Sequence, residues 1–186
     1  MTQKTQSVLT PEVKAMIGKT GDKVESWGVV DEEYLRRFAQ AVPDWDPRFW
    51  DEEFAKTTRF KTRTVPPLMC TYMSGRRPLS EKDRMDEVME QNPKSDGGGG
   101  MRSEKGALPR MPWPRGLNRH LHGGDEVEVF QYPKMGDKIS FQRKYLDAQE
   151  RVGGDGKAFL VVTNEATYWN QKNEVLCKVR TIAVQR

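Results

Sequence analysis

The stretch that decides the fold is residues 158–184, AFLVVTNEATYWNQKNEVLCKVRTIAV, in a chain of 186 residues. Two apolar-rich runs, 158–169 and 175–184, flank the polar tetrapeptide Asn-Gln-Lys-Asn at 170–173. Runs rich in Val, Thr, Tyr and Trp that are separated by a short polar turn are typical of a β-hairpin. The sequence therefore predicts two long antiparallel strands here.

The β pattern continues upstream of this hairpin. Residues 126–132 alternate in polarity, Met-Gly-Asp-Lys at 135–138 predicts a turn, and the loop 153–156 is rich in glycine. Between the turn and the loop, a further strand carries four side chains on one face: Ile139, Phe141, Arg143 and Tyr145. We expect four consecutive strands in an antiparallel meander, joined by an early strand at 23–30.

Short helices are predicted in the first half of the chain. Thr10-Pro11-Glu12 is a helix start with a Thr N-cap, and that helix should stop near 18–21. Asp31 caps a second helix that ends at Pro43 and has an apolar face made of Leu35, Phe38, Ala39 and Val42. Asp46-Pro47 starts a third helix, on which Trp50 and Phe54 lie one turn apart. Residues 68–73 predict a buried helix.

Residues 75–114 have a different character. They are mostly polar and contain the glycine run 97–100, and the segment ends with three prolines at 109, 112 and 114. Such a segment is typical of a long surface insertion or a lid, with one short helix expected around 79–90. Together with the core around it, the segment is expected to belong to one domain spanning 1–186.

Composition excludes several classes of protein. The longest apolar runs, such as 158–162, are far too short to span a membrane, and the polar residues 1–11 lack the apolar core of a signal peptide, so a cytoplasmic location is expected. The net charge is +4, with acidic and basic residues interleaved, which does not favour nucleic-acid binding. The two cysteines, Cys70 and Cys177, are expected to be reduced, buried thiols rather than a metal site or a disulfide.

Several short motifs resemble those of the MaoC-like (R)-specific enoyl-CoA hydratases and dehydratases, in particular the N-terminal FAS1-like dehydratase branch. Their order and spacing along most of the chain carry the resemblance. They are Phe38-Ala39-x-Ala41-Val42-x-Asp44-x-Asp46-Pro47, then 50–55 and Phe60, Val65-Pro66-Pro67-Leu68-Met69, His122-x-Gly124-x-Glu126, Gly136-Asp137 and Tyr168-x-Asn170.

The resemblance implies an α+β hotdog fold, in which an antiparallel sheet wraps around a central helix. It implies a thioester of CoA or of acyl carrier protein as substrate, with water added to a trans-2-enoyl group or removed from an (R)-3-hydroxyacyl group. An Asp and a His hold the water, and a backbone N–H at the start of the central helix polarises the thioester carbonyl. Hotdog subunits pair into continuous sheets. No cofactor and no metal are implied.

The chain departs from the family motif Gly-Asp-x-Asn-Pro-x-His at telling positions. Asp44 stands at the catalytic Asp, where it either acts as acid and base or only bonds local backbone N–H groups. Asp46 replaces the usual Asn and is expected to be the N-cap of the next helix. Phe49 replaces the His and can neither hold nor transfer a proton.

Pro67 falls where active relatives have Gly and lacks the N–H donor. A slip of one residue in the alignment would leave Leu68 or Met69 to supply it. The chain has two histidines, His120 and His122, which could reach the site by folding or from a neighbouring subunit. Their spacing puts both on one strand face, but no third ligand accompanies them for a metal.

Three functions remain open. The leading hypothesis is the non-catalytic, substrate-shaping subunit of a heteromeric hydratase or dehydratase, whose hotdog partner carries the complete Asp–His motif. Four apolar residues would then line the acyl tunnel: Phe49, Pro67, Leu68 and Met69. The alternatives are a homo-oligomeric hydratase that uses Asp44 with a displaced base, and an acyl-CoA-binding hotdog protein without chemistry. Thioesterase activity is a minor enzymatic alternative.

Overall fold

A computed structural model describes residues 7–73, 84–94 and 106–186 of the protein. In chain order its elements are α1 (Pro11–Lys14), β1 (Val24–Val29), α2 (Glu32–Ala41), α3 (Pro47–Trp50), α4 (Glu52–Thr57), α5 (Met69–Met73), α6 (Arg84–Gln91), β2 (His120–Val129), β3 (Lys138–Val152), β4 (Ala158–Trp169) and β5 (Val175–Gln185). Five antiparallel strands with short helices confirm the predicted α+β class. Within those ranges no helix is long and apolar enough to cross a membrane.

The strand order in the sheet is β1-β3-β4-β5-β2. Strands β3, β4 and β5 form the predicted meander, but β2 begins at His120 and pairs with β5 instead of β3. The expectation of a four-strand meander was therefore wrong. The connection 130–137 spans the end of the sheet because it is anchored at both sides: the Phe130 N–H donates to the Leu176 carbonyl at 2.9 Å, and the Gly136 N–H donates to the Val30 carbonyl at 2.8 Å.

The main core lies between α2, α3, α5 and one face of the sheet. The predicted caps are present: Asp31 accepts the Tyr34 N–H at 2.8 Å and so starts α2. The residues that are buried together in this core are Val24, Val30, Leu35, Phe49, Val65, Met69, Cys70, Met73, Ile139, Phe141, Ala166, Tyr168, Leu176 and Cys177. The core thus ties the helical segment 32–73 to strands β1, β3, β4 and β5.

The helix predicted from Asp46 through Phe54 is interrupted. Asp51 has extended backbone angles and its carboxylate accepts the Phe54 N–H at 2.9 Å, which caps α4. A side chain that bonds a nearby backbone N–H offers the chain an alternative to continuing the helix. Trp50 and Phe54 therefore lie on two short helices rather than on one.

A second apolar cluster covers the other end of β3 and β4, where α1 meets the proline-rich segment 106–117. Its buried residues are Val13, Met111, Tyr145, Ala148, Leu160 and Val162. The Tyr145 hydroxyl donates to the Pro109 carbonyl at 2.9 Å, which fixes this segment to the sheet. The last part of the predicted insertion is thus packed rather than loose, and the expected short helix is α6. Residues 74–83 and 95–105, which cover much of the predicted insertion, lie outside the described residues.

We predict that Met111→Ala lowers the free energy of unfolding by about 2–5 kcal/mol, because it leaves a cavity in this cluster. Met111 is 4% exposed, whereas Val152, at the end of β3, is 67% exposed. Val152→Ala is the matched control and should change stability by less than about 0.5 kcal/mol. Urea denaturation measures both. Equal, small effects would contradict the packing of 106–117 against the sheet.

Candidate functional site

Asp44 lies in the turn between α2 and α3. Its N–H donates to the Ala39 carbonyl at 3.1 Å, and its own carbonyl accepts the Trp50 indole N–H at 3.3 Å. One carboxylate oxygen, Oδ1, accepts the Asp46 N–H at 3.3 Å. The other oxygen makes no hydrogen bond with a described residue. The carboxylate is therefore held in place by local bonds and keeps one oxygen for another group, and its catalytic role stays a prediction.

Asp46 is the N-cap of α3, as predicted. Its Oδ1 accepts the Arg48 N–H at 2.9 Å, and both its oxygens bind the Arg48 guanidinium. The hydrogen bonds from Arg48 hold the pKa of Asp46 below its ordinary value. Arg48 also lies over the Tyr132 ring, 5.7 Å from its centroid. Asp46 therefore serves the structure of the turn, and an Asn at this position would keep the cap but lose the charge pair.

Phe49 belongs to the main core and is 2% exposed. Its carbonyl accepts the Arg63 Nε–H at 2.8 Å, and the same guanidinium binds both carboxylate oxygens of Glu32 at 2.8 and 2.9 Å. These bonds tie α3 to the start of α2. The position that the motif resemblance assigns to a histidine is thus occupied by a ring that holds the fold together.

We predict that Phe49→His lowers the free energy of unfolding by about 2–4 kcal/mol at pH 7.5, since it buries an imidazole and leaves space unfilled. Burial lowers the pKa of a histidine below the value of about 6.5 in the unfolded chain. The unfolded state then binds more protons below that pH, so stability should fall further at pH 5.5.

Urea denaturation at both pH values measures this effect. Phe49→Leu is the matched control, because it also shortens the ring but adds no titrating group. It should lose less stability and show no added loss at pH 5.5. A histidine variant as stable as the leucine variant at both pH values would show that position 49 is open to solvent.

The start of α5 carries the candidate backbone donor. Pro67 has no N–H, and the Met69 N–H donates to the Pro66 carbonyl at 2.9 Å. The Leu68 N–H makes no hydrogen bond with any described residue, and Leu68 is 41% exposed. Of the two alternatives that the sequence left open, Leu68 is therefore the one with an available donor.

The four residues predicted to line an acyl tunnel divide into two pairs. Phe49 and Met69 are 2% and 0% exposed and lie in the core, whereas Leu68 and Pro67 reach the surface. Tyr72, one turn after Leu68, packs against Phe38 at 5.9 Å between ring centroids. Tyr72 was not predicted to belong to the site. Its position four residues after Leu68 is the sequence pattern that could have placed both side chains on one apolar helix face. The lining role of the four residues stays a prediction.

The two histidines lie on β2, at the sheet edge opposite β1. Val129 pairs with Cys177, whose sulfur is 4.0 Å from the Pro67 carbonyl, while His120 pairs with Gln185. Nine residues separate Val129 from His120, which is about 30 Å along a strand. Folding of one chain therefore keeps both histidines away from α5. A neighbouring subunit is the remaining way to bring either of them to Asp44.

His122 belongs to a small polar cluster. Its Nε2 is 3.3 Å from Asp125 Oδ2, and the Thr181 hydroxyl donates to Asp125 Oδ1 at 2.7 Å. Residues three apart on a regular strand point to opposite faces, so this contact needs the bulge at Gly123 and Gly124. Gly124 has a φ of +129°, and a Cβ at Gly123 would lie 2.9 Å from Ile182. Among the described residues, no three His, Cys, Asp or Glu side chains gather as metal ligands.

Cys70 on α5 and Cys177 on β5 face each other in the main core. They are 1% and 0% exposed and form no disulfide, so the predicted buried thiols are confirmed. The hydrogen bond with Cys177, together with burial, raises the pKa of the Cys70 thiol. The pair therefore contributes apolar packing between α5 and the sheet.

Comparisons with known proteins agree with this architecture. The family model described as FAS1-like, dehydratase domain region matches residues 15–179. The ChsH1–ChsH2 complex from Mycobacterium tuberculosis gives a TM-score of 0.64 at 12% identity, over 94% of this chain and 86% of that chain. The HadBC (3R)-hydroxyacyl-ACP dehydratase complex from the same organism gives a TM-score of 0.53 at 16% identity, over 91% of this chain and 96% of that chain. The unliganded (R)-hydratase PhaJ1 from Pseudomonas aeruginosa gives a TM-score of 0.51 at 15% identity, over 94% of this chain and 84% of that chain. No curated protein sequence matches significantly.

Proposed function

The chain belongs to the FAS1-like dehydratase domain region family and has the hotdog fold, and from this premise we propose that it is one subunit of an acyl-thioester hydratase or dehydratase. In this proposal a hotdog partner carries the complete Asp–His motif. The present chain contributes the interface and part of the acyl-binding wall. The substrate is a thioester of CoA or of acyl carrier protein, and no further cofactor takes part.

The observation that carries the proposal is the incomplete acid–base pair. Hydration needs proton uptake from water and proton delivery to the substrate, and the family motif divides these tasks between an Asp and a His. Asp44 has a free carboxylate oxygen, but the buried Phe49 stands where the second group is needed. His120 and His122 lie about 30 Å and about 23 Å along β2 from the row that meets α5. Folding of one chain therefore brings neither histidine to the start of α5, and the motif position 49 holds no group that transfers a proton.

The free edge of the sheet supports a partner. Strand β2 pairs on one side with β5, and nearly all its residues are exposed. Val127, Val129 and Phe130 are 43%, 40% and 51% exposed, and they form an apolar patch at a strand edge that pairs with no described strand. A second hotdog subunit that continued the sheet would pair this edge and cover these side chains. Two of the similar structures are themselves complexes of two chains.

A second candidate is a homo-oligomeric (R)-enoyl thioester hydratase. The His122–Asp125 pair favours it, because Asp125 orients the imidazole and both residues lie on the free edge strand. A second copy of the chain would then present His122 near Asp44. This alternative needs no other protein.

We predict that Asp44→Asn lowers the kcat of the assembled complex by less than about tenfold, whereas replacing the partner's motif histidine by Ala lowers it by about 10²–10⁴. Hydration of a trans-2-enoyl-CoA by the co-purified complex measures both. Asp22→Asn removes an exposed carboxylate elsewhere on the chain and serves as the control. A loss of kcat from Asp44→Asn that equals or exceeds the loss from the partner's histidine variant would contradict the accessory role. Activity that depends on Asp44 and His122 in the chain alone would favour the homo-oligomer.

A further inference from the structure

Strand β2 forms one edge of the sheet, and its two faces differ in chemistry. Val129 pairs with Cys177 of the main core, so Val129 and Val127 point to the side of the sheet that faces the helices. Glu126 and Glu128 alternate with these valines and point to the opposite side. A strand added to this edge would therefore meet apolar side chains on one face and carboxylates on the other.

The Glu126 carboxylate ends a row of charges that crosses the sheet. The strand register places four charged residues side by side on β3, β4, β5 and β2, in the order Lys144, Glu165, Arg180 and Glu126. Lys144 Nζ is 3.1 Å from Glu165 Oε1, and Arg180 Nε is 3.0 Å from Glu165 Oε2. The guanidinium of Arg180 then lies 3.8 Å from Glu126. The signs alternate along the row, so a cation is the next member that would continue it beyond β2.

The carboxylates at this edge are only partly balanced by cations of the same chain. Arg180 lies 3.5 Å from Glu128 and 3.8 Å from Glu126, which is farther than its 3.0 Å bond to the buried carboxylate on β4. Lys178 pairs with Glu128 in the ladder, but its Nζ lies over the Phe130 ring, 5.7 Å from the centroid, and forms no ion pair with that carboxylate. Strand β2 itself contains neither lysine nor arginine. The exposed edge is therefore acidic on the side away from the helices.

A second copy of β2 does not fit this edge. Residues that lie opposite each other in an antiparallel pair point to the same face, so a symmetric pair of β2 strands is centred on one residue. Centring on Val127 places Glu126 opposite Glu128. Centring on Asp125, Glu126 or Glu128 places that carboxylate opposite its own copy. Like charges directly opposite each other destabilise a strand pair, so every register centred within 125–128 is disfavoured.

We propose that the β2 edge selects a partner whose own edge strand carries lysine or arginine opposite Glu126 and Glu128 and apolar side chains opposite Val127 and Val129. The inference rests on the proposed function for the identity of this partner as the hotdog subunit that carries the complete Asp–His motif. Its cations continue the alternating charge row, and its apolar side chains cover the exposed valines. The same edge disfavours a dimer of this chain with itself.

Analytical ultracentrifugation of the full chain tests the edge without any native partner. The probe is a variant of the same chain, Glu126→Lys/Glu128→Lys, which presents two cations at the same edge positions. We expect an equimolar mixture of the wild type and this lysine variant to associate about tenfold more tightly than either protein alone, because the register centred on Val127 then sets two Glu–Lys pairs opposite each other. The difference should shrink at high salt concentration, which screens exposed charges.

A second variant, Glu126→Gln/Glu128→Gln, removes the repulsion without adding a charge. It should associate with itself more tightly than the wild type does. Urea denaturation checks that each variant is folded. If the lysine variant is not folded, the glutamine variant decides: tighter self-association supports the proposal, and self-association equal to that of the wild type overturns it.

Glu25→Lys is the matched control, because it reverses an exposed carboxylate on β1, at the opposite edge of the sheet. A mixture of the wild type with this variant should associate no more tightly than the wild type alone. An equal gain from Glu25→Lys would overturn the proposal, since the effect would then be one of overall charge. Self-association of the wild type as tight as that of the mixture would also overturn it, because a second copy would then fit the edge.

The two proposals can fail separately. If the mixture with the folded lysine variant does not associate, the selection by charge is wrong, even where a co-purified complex hydrates enoyl thioesters. If the mixture associates as expected while neither the chain nor its complex acts on any acyl thioester, the selective edge stands and the proposed function fails.

Discussion

Burial of the Phe49 ring is the constraint on which the candidate site depends. The ring joins α3 to the main core, while Arg63 binds the Phe49 carbonyl and links it to Glu32 at the start of α2. Asp46 caps the first turn of α3 by accepting the Arg48 N–H, and its carboxylate also binds the Arg48 guanidinium. This framework presents Asp44 at the turn, but it fills with hydrocarbon the position from which a histidine would act.

Much of the fold could be predicted from local patterns. The strand β4 was predicted from its composition with the bounds that the structure has, and Thr10, Asp31 and Asp46 were recognised as caps because a cap depends on residues three apart or less. The break at Asp51 was missed, since Asp-Glu-Glu after Trp50 fits a continuing helix as well as a new start. At the site, the free N–H of Leu68 was one of two alternatives, and only the bond from Met69 to Pro66 decides between them.

The pairing between strands that are distant in the chain could not be predicted from the sequence. The turn at 135–138 exists, but it joins β2 and β3 across the end of the sheet, because the connection is anchored on Leu176 and Val30. This placement leaves β2 at a free edge with exposed apolar side chains, and it carries both histidines to the end of the sheet away from α5. The same topology that separates Asp44 from a histidine thus provides the surface by which another subunit could supply one.

Turnover of a trans-2-enoyl-CoA by the purified chain, measured before and after adding the hotdog subunit that co-purifies with it from native cells, tests the central claim most directly. The account predicts no hydration by the chain alone, and full activity once a partner with an intact Asp–His motif is bound in fixed stoichiometry. Full activity of the chain alone, as a homo-oligomer with no partner, would contradict it.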